Sequence, residues 1–329
     1  MVEKNEKANE VCIIEQVSRK TPPDQLQRIL NLAEKPDPIP MAVVHPTDTA
    51  SLLGAVEAAH AKLIVPILVG PEKKIRAVAE QLGIELTLYT IINTKHSHEA
   101  AEKGVGLVRQ GMAEALMKGA LHTDELMHEV VQKEVGIPTE RRMSHVFVMD
   151  LESHKKPLFI TDAAINIYPD LMTKRDIIQN AIDLATCMGV EQPKVAILSA
   201  VETVTPKIPS TIEAAALCKM AQRGQITGGI LDGPLAFDNA ISAKAAQRKG
   251  IKSPVAGDAD ILVVPDLEAG NMLAKQLQYL AGAQSAGIVL GARVPIVLTS
   301  RADESISRMA SCAIALLLVH KQKAIKVLL

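Results

Sequence analysis

The sequence predicts an α/β protein of two doubly wound lobes with a cleft between them, and three observations predict it. Short β-branched runs alternate with longer stretches of helical period in both halves of the chain. Glycines stand just past several of the helical stretches, where a left-handed cap costs least. The length of 329 residues suits two domains at ~100 to 200 residues each.

Taken in order, MAVVH (41–45) reads as a strand followed by a helix from Thr49. LIVPILV (63–69) is followed by a helix to Leu82, and ALMKG (115–119) by a helix from Thr123. This βαβα order is that of a parallel sheet covered by helices, because parallel neighbours need long crossovers. RMSHVFVMDL and KPLFITD (142–162) break the alternation around a polar ESHKK turn. They predict an antiparallel pair that crosses between lobes or projects from one toward a dimer interface. Alternation resumes with KVAILS (194–199), GGILD (228–232), ILVVP (261–265) and PIVLTS (295–300). Gly83, Gly136, Gly189 and Gly250, each followed by an apolar residue, are the expected helix caps.

Thirty-six basic against 37 acidic side chains leave a net charge of −1, and aromatics make up 2% with no Trp. A chain without a basic field or stacking platforms argues against a nucleic-acid partner. Four cysteines without a CxxC pair read as reduced thiols. The polar start MVEKNEKANE is unlike a signal peptide, and the apolar runs 63–70 and 313–319 fall short of the ~20 residues a membrane span needs. A soluble, cytoplasmic protein is expected.

Ligands of open α/β sheets sit beyond the carboxyl ends of strands. Four such turns are polar: TDAAINIYPD (161–170), LDGPLAFDNA (231–240), VVPDLEAGNML (263–273) and LTSRADES (298–305). Asp232, Asp238 and Asp266 can each be a turn former or helix N-cap, but their recurrence at one edge of a sheet points to a shared site. Gly270 and Asn271 fall in a helical first turn, where glycine costs ~1 kcal/mol. Close approach of a ligand or tight helix–sheet packing would each offset that cost. In TSRAD (299–303), Ser300 and Asp303 satisfy a capping box. Arg301, however, is a cation at a helix N-terminus, unfavourable unless an anion binds there. An anion site is the more economical reading.

The chain has no Walker A, no G-x-G-x-x-G after a strand, no G-x-S-x-G and no H-E-x-x-H. His96, His98, His122 and His128 lack a recurring ligand spacing and read as solvated, so no metal is assigned.

The stretches SHVFVMD (144–150), FITDAAINIYPD (159–170), QNAIDLA (179–185), LDGPLAFDNAIS (231–242), SPVAGDADILVVPDLEAGN (253–271) and LTSRAD (298–303) resemble the phosphate acetyltransferase and phosphate butyryltransferase family. The likeness runs from Ala115 to the C-terminus. It implies a fold like that of the isocitrate and isopropylmalate dehydrogenases, with a discontinuous first domain (1–143 and 295–329) and a second domain (144–294). It also implies a homodimer, an interlobe site and transfer of an acyl group between coenzyme A and inorganic phosphate without metal or redox cofactor.

That chemistry needs a thiolate. A thiol pKa of ~8.5 and a carboxylate pKa of ~3.9 leave a gap of ~4.6 units, roughly 6 kcal/mol, to be narrowed by burial of the base and by nearby cations. With the resemblance, Ser300 is the oxyanion donor and Arg301 binds the transferring phosphate or the coenzyme A diphosphate, while Asp303, with Glu304 the nearer acid available, is the candidate base. Asp266, Gly270 and Asn271 belong to the acyl or pantetheine pocket. Asp232 joins them as a binding candidate, with Ser199 and Lys207 from SAVETVTPKIPST (199–211), a loop like that of the butyryltransferase branch. In the acetyltransferase branch the acid assigned as base lies further past the Ser-Arg pair, at a position held here by Ser307. An arginine that branch carries after its SGA motif has no direct counterpart beyond KGALHTDELM (118–127), leaving Lys118, Arg141 and Arg142 as substitutes.

Two other classes stand beside this one. A metal- and NAD-dependent hydroxyacid dehydrogenase of the same fold would need paired aspartates on a helix, whereas Asp258 and Asp260 fall in a turn. A non-catalytic coenzyme A-binding regulator would keep binding and lack turnover.

Overall fold

The computed structural model describes residues 25–298 and 304–328. The first part of the chain runs α1 (Gln25–Leu32), β1 (Ile39–Val44), α2 (Thr49–His60), β2 (Ile64–Gly70), α3 (Glu72–Leu82), β3 (Thr90–Asn93), α4 (Ser97–Arg109), β4 (Ala115–Lys118) and α5 (Thr123–Val131). The second part runs β5 (Ser144–Asp150), β6 (Leu158–Thr161), α6 (Leu171–Cys187), β7 (Lys194–Leu198), α7 (Pro209–Gln222), β8 (Ile230–Leu235), α8 (Phe237–Ile241) and α9 (Ala243–Arg248). It ends with β9 (Ile261–Val263), α10 (Leu267–Leu280), β10 (Gln284–Leu290), β11 (Ile296–Leu298) and α11 (Ser305–Leu328). Aspartates start three of the helices: Asp48, Asp170 and Asp266 accept from the N–H groups of Ser51, Thr173 and Ala269. Each such cap contributes about 1 kcal/mol.

All strands join one sheet, in the order β3-β2-β1-β4-β11-β10-β5-β6-β9-β7-β8. β1 to β4 and β11 are mutually parallel, as are β6, β9, β7 and β8. Between these blocks the sheet reverses three times, at β11–β10, β10–β5 and β5–β6. Three reversals leave the two parallel blocks running in opposite directions. The antiparallel pair expected at 142–162 is therefore β5 and β6, inside the sheet rather than projecting from it.

The two faces of the sheet differ. On one, Met41, Met117, Val297, Ile288, Val146, Phe159, Ile261 and Val195 belong to a single core shared with α2, α11, α6 and α7. On the other, the core is split. Val44, Leu116, Ile296 and Val289 pack with α4 and α5, while Met149, Ile160, Leu262 and Ala196 pack with α8 and α10. Between those two cores the same face carries His145 and Phe147 of β5 and Gly287 of β10, since side chains alternate along a strand and ladder partners share a face. The lobes thus share a sheet and one helical layer, and part on the other face along β5 and β10.

Gly83, Gly189 and Gly250 have positive φ as expected of helix caps. Gly136 does not: α5 ends earlier, with Gln132 as its C-cap, and a Cβ at Gly136 would lie 2.4 Å from the Gln132 carbonyl oxygen. Close backbone contact in the turn is the reason for glycine there. Two strands escape the sequence pattern, β3 (Thr90–Asn93) and β10 (Gln284–Leu290). QSAGIVL contains too many small residues to register as a strand, although β10 is central. Among the described residues no helix is long and apolar enough to cross a membrane.

Candidate active site

β1, β4 and β11 end together, with Val44 and Leu298 both paired to Lys118. The catalytic candidates Ser300, Arg301 and Asp303 lie outside the described residues. The described chain stops at Leu298, about 4.8 Å from Lys118 as parallel neighbours stand, and resumes at Glu304.

This sheet edge is drawn tight. Gly119 and Ala120 donate backbone hydrogen bonds of 2.8 Å to the carbonyls of Val44 and His45, extending the β1–β4 ladder into the loop. A Cβ on Gly119 would stand 2.5 Å from the Val44 oxygen and 2.6 Å from that of His45, so only glycine fits. His45 itself has φ 57. A left-handed non-glycine residue costs about 1 to 2 kcal/mol and marks positions the surroundings over-determine. Its Nδ1 is 2.9 Å from the Ala120 oxygen, with the Thr47 hydroxyl 3.2 Å from the same nitrogen. Lys118 shares the split-core face with Leu116 and Leu298, and its Nζ donates to the carbonyls of Gly119 (3.2 Å) and Leu121 (2.9 Å).

On the opposite face the start of α11 is held from α2. The Ser305 hydroxyl donates to Glu57 at 2.8 Å, and Arg308 lies 3.6 Å from the same carboxylate oxygen. Gly54 makes room for this pair, since a Cβ there would be 2.9 Å from Arg308 Nε. Ser307 is buried.

The remaining candidates lie elsewhere. The turns after β6, β8 and β9 and the turn after β11 were expected at one edge of a sheet. The reversals at β10 and β5 put the ends of β6, β8 and β9 at one edge and the end of β11 at the other. Asp266 caps α10 through the Ala269 N–H, and Asn271 Nδ2 donates to the Ala163 carbonyl at 3.3 Å. Gly270 is explained by packing: its Cβ would meet Val264 at 2.7 Å and Ala163 and the Asp162 oxygen at 3.0 Å. Asp232 is not in a turn but inside β8, opposite Ala196, accepting from the Gly233 N–H. Ser199 is hydrogen-bonded to Ser210, and Lys207 is exposed. β7 stands five strand positions from β11, about 24 Å at ~4.8 Å each. Ser199, Lys207 and Asp232 therefore do not meet the end of β11 within one chain.

The three substitute cations separate cleanly. Arg141 pairs with Asp183 at 2.5 Å. Arg142 donates its N–H to Asp176, and its carbonyl lies against Gly291, beyond the carboxyl end of β10. Lys118 alone of the three stands at the carboxyl end of β11. Asp258 and Asp260, the acids a dehydrogenase would need, form ion pairs with Lys156, and Asp258 also with Lys194. Among the described residues no group of three or more His, Cys, Asp or Glu side chains could hold a metal.

Two buried groups were not named as residues in the sequence reading, although Asp162 lies in its polar turn 161–170. Asp162 accepts from the N–H groups of Ala164, Ile165 and Asn166 and from Asn166 Nδ2, and burial pushes its pKa up against those bonds. The D-x-x-x-N spacing in TDAAIN was the available signal. His145 is buried against Phe147, its Nδ1 has no hydrogen-bond partner among the described residues, and burial pulls its pKa down to about 4. Nothing in a strand pattern announces that.

Residues 95–316 match the family model described as phosphate acetyl/butaryl transferase. A phosphate acetyltransferase of Rhizobium meliloti is 62% identical over 305 residues, 93% of this chain and 96% of that protein. A phosphate butyryltransferase of Clostridium acetobutylicum is 45% identical over 251 residues, 76% of this chain and 83% of that protein. The crystal structure of a branched-chain phosphotransacylase from Enterococcus faecalis V583 has a TM-score of 0.75 at 30% identity, covering 86% of this chain and 99% of that one. A 4-hydroxythreonine-4-phosphate dehydrogenase from Klebsiella pneumoniae, at 12% identity and TM-score 0.51 over 85% of this chain and 99% of its own, shares the fold alone.

Proposed function

The chain belongs to the phosphate acetyl/butaryl transferase family, and we propose that it moves a short acyl group, acetyl or butyryl, reversibly between coenzyme A and inorganic phosphate. The observation that carries this reading is the 62% identity, over 93% of the chain, to a phosphate acetyltransferase.

In the direction of thioester synthesis, the coenzyme A sulfur attacks the carbonyl carbon of the acyl phosphate. The C–S bond forms, the C–O bond to phosphorus breaks, and inorganic phosphate leaves with the bonding pair. The thiol proton goes to Asp303. Ser300 donates to the carbonyl oxygen as it gains charge, and Arg301 holds the phosphoryl group. Because thiol and carboxylate differ by ~4.6 pKa units, cations beside the sulfur and a desolvated base carry much of the catalysis. Asp266 and Asn271 are assigned to the acyl and pantetheine side of the cleft, while Gly270 serves the packing of α10 on the sheet. Asp232, Ser199 and Lys207, remote from β11, are assigned to the far end of coenzyme A. The reading includes a cytoplasmic homodimer, domains at 1–143 with 295–329 and at 144–294, and no metal or redox cofactor.

Free-thiol release from acetyl-, propionyl- and butyryl-CoA, with and without phosphate, tests this. Phosphate-dependent release is expected, and its rates rank the chain lengths. No phosphate-dependent loss of any thioester would remove the proposal. Arg301→Ala is expected to raise the apparent KM for phosphate or coenzyme A, and unchanged kinetics would take Arg301 out of the centre.

A further inference from the structure

We infer that the carboxyl edge of the block β6, β9, β7 and β8 is the face through which two copies of this chain pair, which gives the homodimer of the acyl-transfer reading a surface. These four strands are parallel neighbours and end together. The segments beyond them turn large apolar side chains to solvent: Ile167 and Tyr168 after β6, Val204 and Ile212 after β7, Phe237 after β8 and Met272 in α10 after β9. Their exposure runs from 41% at Phe237 to 75% at Tyr168. The turns after β1, β2, β3 and β4 carry no such residue, so the feature belongs to this lobe and not to strand ends in general.

The six side chains share one patch. The Leu267 N–H donates to the Ile167 carbonyl at 3.1 Å, tying the turn after β6 to the start of α10. Asn239 of α8 donates to Glu202, tying the helix of Phe237 to the loop that carries Val204. The same loop is bound to α7 through Thr205 and Thr211, beside Ile212. β6 and β8 stand three strand spacings apart, about 14 Å at ~4.8 Å each, well within the ~30 Å breadth of a patch of ~800 Å².

The area matches what a dimer needs. At ~150 to 200 Å² for a fully exposed large side chain, the six present on the order of 500 Å² of apolar surface. A standard interface takes ~800 Å² from each partner and, between identical subunits, is ~65% apolar, which is again about 500 Å². Composition agrees, since interfaces favour Tyr, Phe and Met, and Tyr168 and Phe237 come from a chain with only three Tyr and three Phe. Lys207, Asp238 and Glu268 are exposed and supply the polar rim, which stays open to solvent, so Lys207 remains reachable. A net charge of −1 sets up neither repulsion between copies nor attraction to an acidic membrane. A closed two-fold sets this patch against itself and needs no other surface.

The test is the oligomeric state of the full chain, read by sedimentation over a wide range of protein concentration and without turnover. Wild type is expected to be dimeric. Tyr168→Asp and Phe237→Asp put a charge into the patch, and each is expected to raise the dimer dissociation constant roughly thirtyfold or more, the size of an interface hot spot. Tyr168→Ser removes the ring without adding a charge and is expected to act in the same direction, with an unchanged circular dichroism spectrum showing that the fold is kept. Leu88→Asp, at a side chain 89% exposed between α3 and β3 in the other lobe, is expected to leave the dimer intact. A dimer indifferent to all three patch variants removes this face and leaves the homodimer standing. A wild type that is monomeric at every concentration removes both, whether or not it associates with phosphatidylcholine vesicles, and leaves acyl transfer untouched. A dimer that the patch variants dissociate supports the face even where no acyl transfer is found.

Discussion

Gly119 and Gly270 are the positions where a single methyl group is most informative, and for different reasons. At Gly119 the obstacle is two rigid carbonyl oxygens of β1 and the residue after it. Gly119→Ala is expected to displace the loop after β4, costing about 1 to 3 kcal/mol of stability, which urea denaturation measures. At Gly270 the obstacles are Val264, Ala163 and the Asp162 oxygen. Gly270→Ala is expected to lower the denaturation midpoint by a similar ~1 to 3 kcal/mol with the acyl-CoA KM unchanged. A raised KM at full stability would restore the ligand explanation. His145 makes a pH prediction. Its ring is neutral in the fold and its pKa falls from 6.5 to about 4, so below 6.5 the unfolded chain binds a proton the native chain refuses. Stability is therefore whole above pH 6.5 and declines as pH falls toward 4, by at most about 3 kcal/mol from this residue. His145→Phe is expected to flatten that part of the pH–stability curve relative to wild type. Identical curves would mean that the ring is not held neutral.

Among the elements, α11 bears most on the proposed chemistry, because it begins two residues after Asp303, the proposed base. Glu57 of α2 fixes its first turn through Ser305 and Arg308, in a space left by Gly54. Glu57→Ala is expected to cost about 1 to 3 kcal/mol and to lower kcat more than it changes either KM, measured by denaturation and steady-state kinetics. A variant that loses stability but keeps kcat would separate α11 from catalysis. Element existence was largely legible beforehand, since β1, β2, β4, β7 and the helices after them carry strong periodicity and clear punctuation. β10 was not, because Ser285, Ala286 and Gly287 give no β-branched signal, and Gly287 has to stay small beside the His145 ring.

At the scale of the whole molecule, that one unread strand changes the map of the site. Without β10, the polar turns at 161–170, 231–240, 263–273 and 298–305 look like members of one sheet edge. With it, the sheet reverses three times between the blocks, and β11 ends at the opposite edge from β6, β8 and β9. Strand direction is a property of pairing, which local pattern does not encode, so the end of β11 was grouped with the ends of β6, β8 and β9, which do share an edge. The edge that does converge is that of β1, β4 and β11, where Lys118 stands. TSRAD, whose expected anion site rests on an arginine that conflicts with a helix dipole, lies outside the described residues. The central claim is acyl transfer to phosphate, and product identity tests it most directly. When purified protein is given acyl-CoA and inorganic phosphate, mass spectrometry is expected to find acyl phosphate in step with free coenzyme A, and neither without phosphate. Free coenzyme A accompanied by the free carboxylic acid, at a rate indifferent to phosphate, would contradict the account.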